Sequence, residues 1–412
     1  MENTYEQKLE MKEFVMKRLA CLGELEDEEI LSVIEECVTS YCQQHFMPVL
    51  ERQRVVSEIF NSIRKYDVLQ ELLENDTISE IMINGWKNIF IERDGRLEKW
   101  DKTFESKEKL EDVIQQMVSR CNRMVNESSP IVDARLYDGS RIHVVLSPIS
   151  LDGPAVTIRK FPKESITMEQ LIAWNAISLE AAIFLQKLVV SRYNIFVSGG
   201  TGSGKTTLLN VLSNYVPEDE RMITIEDSAE LQIQQIPNLI RLETKESIME
   251  ESKKITMKHL IKAALRMRPD RLVVGEVRDG EAVANMLQAM NTGAASMSTG
   301  HANSAKDMIS RLEALSLIGM NMPLLSARKQ IVSAIDIVIH LGRLRDKSRR
   351  VLEIVEIIGM EEGEIMMNPL FCYEESEESE SCGEIERIEG RLVRTKHPLK
   401  RLEKLVRAGL ME

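Results

Sequence analysis

One stretch, Gly199-Gly200-Thr201-Gly202-Ser203-Gly204-Lys205-Thr206 with Thr207 behind it, limits what this chain can fold into more than any other. It fits the phosphate-binding loop template of glycine, four residues, then Gly-Lys-Thr. That template works only between a buried strand and a helix. Asn194 to Ser198 is a short apolar run that reads as the strand, and Lys205 to Asn214 reads as the helix. The glycines allow backbone conformations closed to other residues, so the loop amides can approach an anion. Lys205 is placed to reach the β- and γ-phosphates of ATP, and Thr206 to offer its hydroxyl to Mg²⁺. By itself the loop establishes phosphate binding and an α/β setting, and no more.

Three downstream stretches supply what hydrolysis needs. Arg221 to Asp227 is a strand ending in the carboxylates Glu226 and Asp227. Strand carboxyl ends in a parallel sheet face the ligand crevice, so either acid could hold magnesium or order water, or simply cap the next turn. Arg271 to Glu276 is a second apolar strand ending in an acid, the Walker B pattern, in which Glu276 would meet the lytic water or the metal. Ser298 to Asn303 forms another strand-to-helix turn, where His301 could hydrogen-bond the γ-phosphate or serve structure alone. Upstream, Arg135 and Arg141 flank Asp138-Gly139, and Arg159 follows. A three-residue loop from Asp138 to Ser140 would put the first two arginines on one face, and a two-residue loop would separate them. Guanidinium groups at a γ-phosphate can be worth roughly 10³–10⁵ in rate, whereas the plain alternative is a solvated hairpin.

With 412 residues, the chain has room for two or three domains. Residues 1–66 carry helical apolar spacing: Leu9, Phe14, Leu19 and Leu22, then Ile30 to Tyr41, then Val55 to Ile63. Residues 67–161 alternate strand and helix patterns and form a smaller α/β (PAS-like) domain. Residues 162–173 read as a linker, and 174–371 as a RecA-like α/β domain with a mostly parallel sheet. Residues 372–412 read as an acidic loop, with eight glutamates between Glu374 and Glu389, and a basic helix starting at Pro398. That basic tail suits packing on its own body better than anionic lipid.

A net charge of −13 argues against sequence-independent nucleic-acid binding. No run approaches about 18 apolar residues, and the N-terminus has no apolar signal region, so a cytoplasmic chain is expected. The cysteines Cys21, Cys37, Cys42, Cys121, Cys372 and Cys382 fit no zinc spacing and are expected as thiols.

Taken together, these blocks resemble the secretion-superfamily ATPases of type II and type IV systems. They are most similar to the CpaF/TadA group that powers tight-adherence (Flp) pilus assembly. Asp133-Ala134-Arg135 with Asp138 to Arg141 resembles that family's arginine hairpin, and Ile158 to Phe161 its inter-domain strand. Thr224 to Asp227 resembles its Asp box, Leu265 to Arg278 its Walker B region, and Gln288 to Gly293 with His301 to Ser304 its His box. The resemblance implies a homo-hexamer on the inner face of the plasma membrane, with ATP and Mg²⁺ as cofactors. It also implies integral-membrane platform proteins as partners. In that setting Arg135, Arg141 and Arg159 would close on the phosphates, Glu226 and Glu276 would serve metal and water, and His301 the γ-phosphate. One departure stands out: after Gly293 the family has a histidine and then Asp-Gly-Ser, where this chain has Ala294-Ala295-Ser296. A nucleic-acid motor and a nucleotide-gated scaffold that does not hydrolyse are the alternatives, the second prompted by Ala294.

Overall fold

The structure, a computed structural model, describes residues 2–410 apart from 23–24, 44, 46, 94, 162–164, 246–253, 321 and 377–387. Its compact units are Met1–Glu164 and Ser165–Glu412.

The first unit opens with α1 (Glu2–Ala20), α2 (Asp27–Cys42) and α3 (Val49–Arg64). Met11 and Val15 pack with Ile34, Val38 and Ile59 in their own apolar core. The face of α1 differs from the expected one. Phe14 and Leu22 are each 50% exposed, because the i, i+4 pair Met11 and Val15 turns inward and Leu22 lies past the helix end. Nor do these helices stand apart from the following α/β segment. Lys102 bridges Glu58 of α3 at 3.0 Å and also pairs with Glu71, while Lys109 donates to the Ser62 carbonyl at 2.8 Å.

After α4 (Leu69–Glu74) come β1 (Ile78–Asn84), β2 (Ile89–Arg93), β3 (Arg96–Lys99), α5 (Lys107–Arg120), β4 (Ile131–Arg135), β5 (Arg141–Val145) and β6 (Ala155–Arg159). The strands form one antiparallel sheet in the order β3-β2-β1-β6-β5-β4. Gly95, at φ +74°, turns β2 into β3; its predicted turn partner Asp94 lies outside the described residues. Ser106 caps α5 through the Lys109 amide, and Leu110, Val113, Ile114, Met117 and Val118 join the sheet's apolar face.

In the second unit, Thr167 and Gln170 form a capping box at α6 (Met168–Ala173), so the later half of the expected linker is helical. Pro162 to Glu164 of that linker lie outside the described residues. The remaining elements are α7 (Leu179–Val190), β7 (Ile195–Gly199), α8 (Lys205–Ser213), β8 (Met222–Glu226), β9 (Leu239–Glu243), α9 (Met257–Ala264), β10 (Arg271–Val274), α10 (Gly280–Asn291), β11 (Ala295–His301), α11 (Ala305–Met320), α12 (Leu324–Ala334), β12 (Ile337–Arg343), β13 (Arg349–Glu361), β14 (Glu364–Glu375), β15 (Gly390–Arg394) and α13 (Glu403–Arg407).

Their sheet runs β15-β14-β13-β12-β7-β11-β10-β8-β9, parallel from β12 through β9 and antiparallel from β13 to β15. Neighbouring residues of one strand feed opposite layers. Ile195 and Val197 face α7 and α8, while Phe196 faces the layer of α9 to α12. A sheet covered on both faces explains why its central strands read as unbroken apolar runs.

The C-terminal region corrects the expected boundary at 371. β14 continues to Glu375 and pairs with β15, so the sheet itself extends past the predicted domain end. The residues of the glutamate-rich stretch from 377 to 387, Cys382 included, lie outside the described residues. The expected helix from Pro398 is only Glu403–Arg407. Arg401 and Lys404 converge on the buried carboxylate of Asp336, at 3.3 and 2.6 Å. Fully buried Glu356 accepts from the Lys400 and Arg401 amides and from Asn368. The tail is thus held by hydrogen bonds to two buried acids, which an apolar helical stripe does not reveal. The described cysteines are free thiols, and Cys37 is buried as expected. Among the described residues no helix is long and apolar enough to cross a membrane.

Helices α10 and α11 touch backbone to backbone at Gly280 and Gly319. A Cβ on Gly319 would lie 1.9 Å from the Gly280 carbonyl oxygen, and one on Gly280 would lie 2.4 Å from that of Leu315. We expect Gly319→Ala to force the helices apart and to cost about 3 kcal/mol, the upper end of overpacking penalties. A denaturant midpoint indistinguishable from the parent protein's would refute that tight crossing.

Candidate nucleotide site

Parallel strands bring the site together. The carboxyl ends of β7, β8, β10 and β11 lie side by side in the order β7, β11, β10, β8, and each runs straight into a segment singled out above. The loop after β7 has the conformation its glycines require. Gly202 and Gly204 sit at φ +69° and +97°. Gly199 can carry no side chain, since a Cβ there would lie 2.5 Å from both the Leu341 carbonyl oxygen and Ser203 Oγ. Nothing lies within 4 Å of where a Cβ would stand on Gly200 or Gly202. The loop therefore opens as a cradle whose amides lead into the N-terminus of α8. Ser203 Oγ braces it through the Gly200 carbonyl at 2.9 Å; Thr201 is exposed at its tip, and Thr206 and Thr207 are half-buried on α8.

Lys205 is 7% exposed. Its Nζ donates to the Gly200 carbonyl at 2.8 Å and lies 3.3 Å from His301 Nδ1. His301 Nε2 lies 2.9 Å from Glu276 Oε1, at ion-pair distance but without the alignment of a hydrogen bond. Arg278 Nη2 donates to Glu276 Oε2 at 2.9 Å, and Arg278 Nη1 is 3.9 Å from Asp227. The expected residues Lys205, His301 and Glu276 thus stand in single file, continued by Arg278 and Asp227. Arg278 was legible only as part of its motif; its grip on Glu276 depends on the turn after β10.

Burial governs the charges. It lowers the Lys205 pKa, which nearby Glu276 partly restores. Burial also lowers His301, so its imidazole is neutral at neutral pH and can accept at Nδ1. Asp227 is raised by burial against the pull of Arg278, and Arg278 is raised chiefly by its hydrogen bond to Glu276.

Glu226 behaves differently from its partners. It is 3% exposed, and its Oε1 accepts from the amides of Glu230 and Leu231 at 2.8 and 2.9 Å. That is the turn-capping alternative, realised with one oxygen. Oε2 is buried without a partner. Burial raises this carboxyl to about 7 despite the two amides. The side chain lies against Gly275, where a Cβ would be 3.0 Å from Glu226 Cγ, so Glu226 and the β10 turn are in contact.

A magnesium ion fits this set. No group of three or more His, Cys, Asp and Glu among the described residues could hold a metal alone. Magnesium in phosphate sites takes only one or two protein oxygens and keeps water and phosphate for the rest. The Thr206 hydroxyl, the orphaned Glu226 Oε2 and Glu276 are the oxygens that could fill that part.

The departure at Ala294 lies elsewhere. Ala294 precedes β11, and His301 ends it seven residues on. At about 3.3 Å per strand residue, that puts Ala294 at the opposite end of the strand from the phosphate loop. The observation that prompted a non-hydrolysing scaffold therefore sits far from Lys205.

In the first unit, the hairpin loop covers Tyr137 to Gly139, with Leu136 and Ser140 hydrogen-bonded across it. Gly139 has φ +90°. Arg135 pairs with Arg141, and Arg141 with Arg159, so the three arginines line up across β4, β5 and β6 on one face. Arg141 holds Asp133 at 3.3 Å, and Arg135 lies 5.6 Å over the Phe161 ring.

A family profile described as "Type II/IV secretion system protein" matches residues 63–398. The conjugal transfer protein TrbB of Rhizobium radiobacter is 32% identical over 74% of this chain and 91% of its own length. The type IV secretion system protein VirB11 of Bartonella henselae is 28% identical over 69% of this chain and 90% of its own. Among solved structures, the pilus retraction motor PilT with bound ADP covers 83% of this chain and 85% of its own, at TM-score 0.52 and 20% identity. The Legionella pneumophila ATPase DotB covers 70% and 79%, at TM-score 0.51 and 23% identity. These two likenesses bear on the fold, which is that of RecA-like secretion ATPases. The chain belongs to the type II/IV secretion system protein family.

The Glu226 carboxyl makes stability depend on pH. Its folded pKa of about 7 lies above the ordinary 4.5, so the folded state binds the extra proton. Its share of stability is full below about pH 4.5 and is lost as pH rises through about 7, at about 1.4 kcal/mol per pKa unit. Glu226→Gln keeps the capping oxygen and removes the charge. Its melting temperature should exceed the parent's near pH 8, with the gain shrinking toward about pH 5. A gain that is the same at both ends would show that burial of this charge is not the cause.

Proposed function

We propose that this protein is a Mg²⁺-dependent ATPase that powers pilus assembly or protein secretion. The observation that carries the reading is the file Lys205–His301–Glu276 behind an open glycine cradle. The loop amides and the α8 N-terminus would hold the β- and γ-phosphates, and Lys205 would exchange the Gly200 carbonyl for a phosphate oxygen. Magnesium, when bound, neutralises charge building on the phosphate oxygens; Thr206 and the two glutamates would hold it. Glu276 Oε1, which has no aligned donor, would accept a hydrogen bond from the attacking water. His301, with its neutral ring, would meet the γ-phosphate and so distinguish ATP from ADP.

Arg135, Arg141 and Arg159 are proposed as a second source of positive charge for the phosphates. The three arginines share one face in direct register, with Asp133 beside Arg141 and Glu80 opposite Arg159, and their guanidinium groups are of the kind that bind phosphate oxygens. Within the family, the order and content of the sequence blocks support the CpaF/TadA type of tight-adherence pilus assembly. The proposed working form is a homo-hexamer on the cytoplasmic side of the plasma membrane, acting on integral-membrane platform proteins.

Lys205→Ala should abolish Mg²⁺-dependent phosphate release. Glu276→Ala should still bind ATP but turn over at least about tenfold more slowly, a barrier increase of about 1.4 kcal/mol. Malachite-green release and fluorescent-nucleotide binding on the full chain measure both. Parent-like turnover by Glu276→Ala would remove its assignment to the water.

A further inference from the structure

Beneath the site lies a polar row that hydrolysis as described does not use. β12 lies between β7 and β13, and its register pairs His340 with Ser198 on one side and with Glu353 on the other. Residues paired across strands project from the same face. His340 is 5% exposed and Ser198 is fully buried, in strands otherwise filled by apolar residues. Buried polar groups of this kind are held by partners or they destabilise the fold.

The partners all converge on one segment. Ser198 Oγ is 3.1 Å from His340 Nδ1 and 3.4 Å from the Ser304 carbonyl. Burial lowers the His340 pKa, and Glu353, Asp307 and the Asn303 backbone, which the ring faces, oppose that. Glu353 Oε1 accepts from the Ala305 amide at 2.6 Å, at the first turn of α11. Three adjacent strands therefore each send one side chain to residues 303–305, directly behind His301. From β11, Gly300 stands beside Ser198, and a Cβ there would lie 2.9 Å from Met308 and 3.0 Å from Phe196. The turn is pressed onto the sheet by that close approach and held in register by the polar row.

We propose that His340, with Ser198 and Glu353, is a positioning group for His301. The row sets where the turn after β11 sits over the phosphate loop, and so whether the His301 ring stands between Lys205 and Glu276. Because Glu353 is on β13, the same row ties that placement to the antiparallel half of the sheet. The role in turnover rests on the reading of His301 as the γ-phosphate contact; the geometric role does not.

The test is a double-mutant cycle on the full-length chain. His340→Leu should lower kcat by about ten- to a hundredfold, the scale of a misplacement near 1 Å, with nucleotide affinity close to the parent's. His340→Gln, which keeps a donor and an acceptor, should recover most of the loss. In a His301→Ala background, His340→Leu should cost nothing further. Losses that multiply, or an unchanged kcat in His340→Leu, would overturn the proposal.

A second readout is independent of hydrolysis. Diethylpyrocarbonate labelling followed by mass spectrometry should show His301 modified several-fold faster in His340→Leu and at the parent rate in His340→Gln, with exposed His397 as the internal standard. An unchanged His301 rate would sink the positioning role. Should the parent and Lys205→Ala show the same background phosphate release, the ATPase reading fails and the labelling alone decides this one. If His340→Leu does not fold, Glu353→Ala, which removes the Ala305 contact, carries the same measurements.

Discussion

The Lys205 ammonium is the group on which the rest of the site depends. It is nearly out of water, and a cation so placed must be met by acceptors. One side offers the Gly200 carbonyl; the other offers the neutral nitrogen of His301, which leans in turn on Glu276, already held by Arg278. Gly200, His301 and Glu276 come from the ends of β7, β11 and β10, and Arg278 follows Glu276 in the same turn. An anion of several oxygens would meet the Lys205 ammonium more fully than a carbonyl oxygen and an imidazole nitrogen do. The same low dielectric that weakens the Lys205 charge would strengthen its hold on a phosphate.

Much of this was legible in the sequence because phosphate chemistry is local. The loop from Gly199 to Thr206 and the apolar strands before Glu226 and Glu276 occupy contiguous residues, and their covered strands read as unbroken apolar runs. What escaped depends on pairing across the sheet. Nothing adjacent in the chain links Ser198 to His340 or His340 to Glu353; only the order β7-β12-β13 does. Arg278 was visible as a motif letter but not as a partner for Glu276. For Glu226 the structure realises the turn-capping alternative with one oxygen and leaves the other without a partner.

The errors have a common origin as well. Of the stripe read on α1, Leu19 packs on the core as expected, whereas Phe14 is half exposed and Met11 and Val15 lie inward in its place. The stretch from Glu374 to Glu389 was read as a loop because it is highly charged, yet Glu374 and Glu375 end β14 and pair with Arg391 and Gly390 of β15. Charge does not preclude order when a backbone amide or a buried acid waits for it, as β15 and residues 400–404 show. The three-arginine row falls between these cases, since the shared face was one of the two arrangements considered and came about through a hairpin loop one residue earlier than supposed.

Asp336 and Glu356 also bear on what completes the second unit. Both are buried carboxylates on or beside central strands, and both find partners in residues 400–404. Without those residues the central strands can align, with Asp336 keeping the Asn194 amide and Glu356 the Asn368 side chain, but each buried acid loses the donors that residues 400–404 supply, which is costly in an apolar interior. The sheet of the second unit is thus completed electrostatically by residues that lie far along the chain from the phosphate loop.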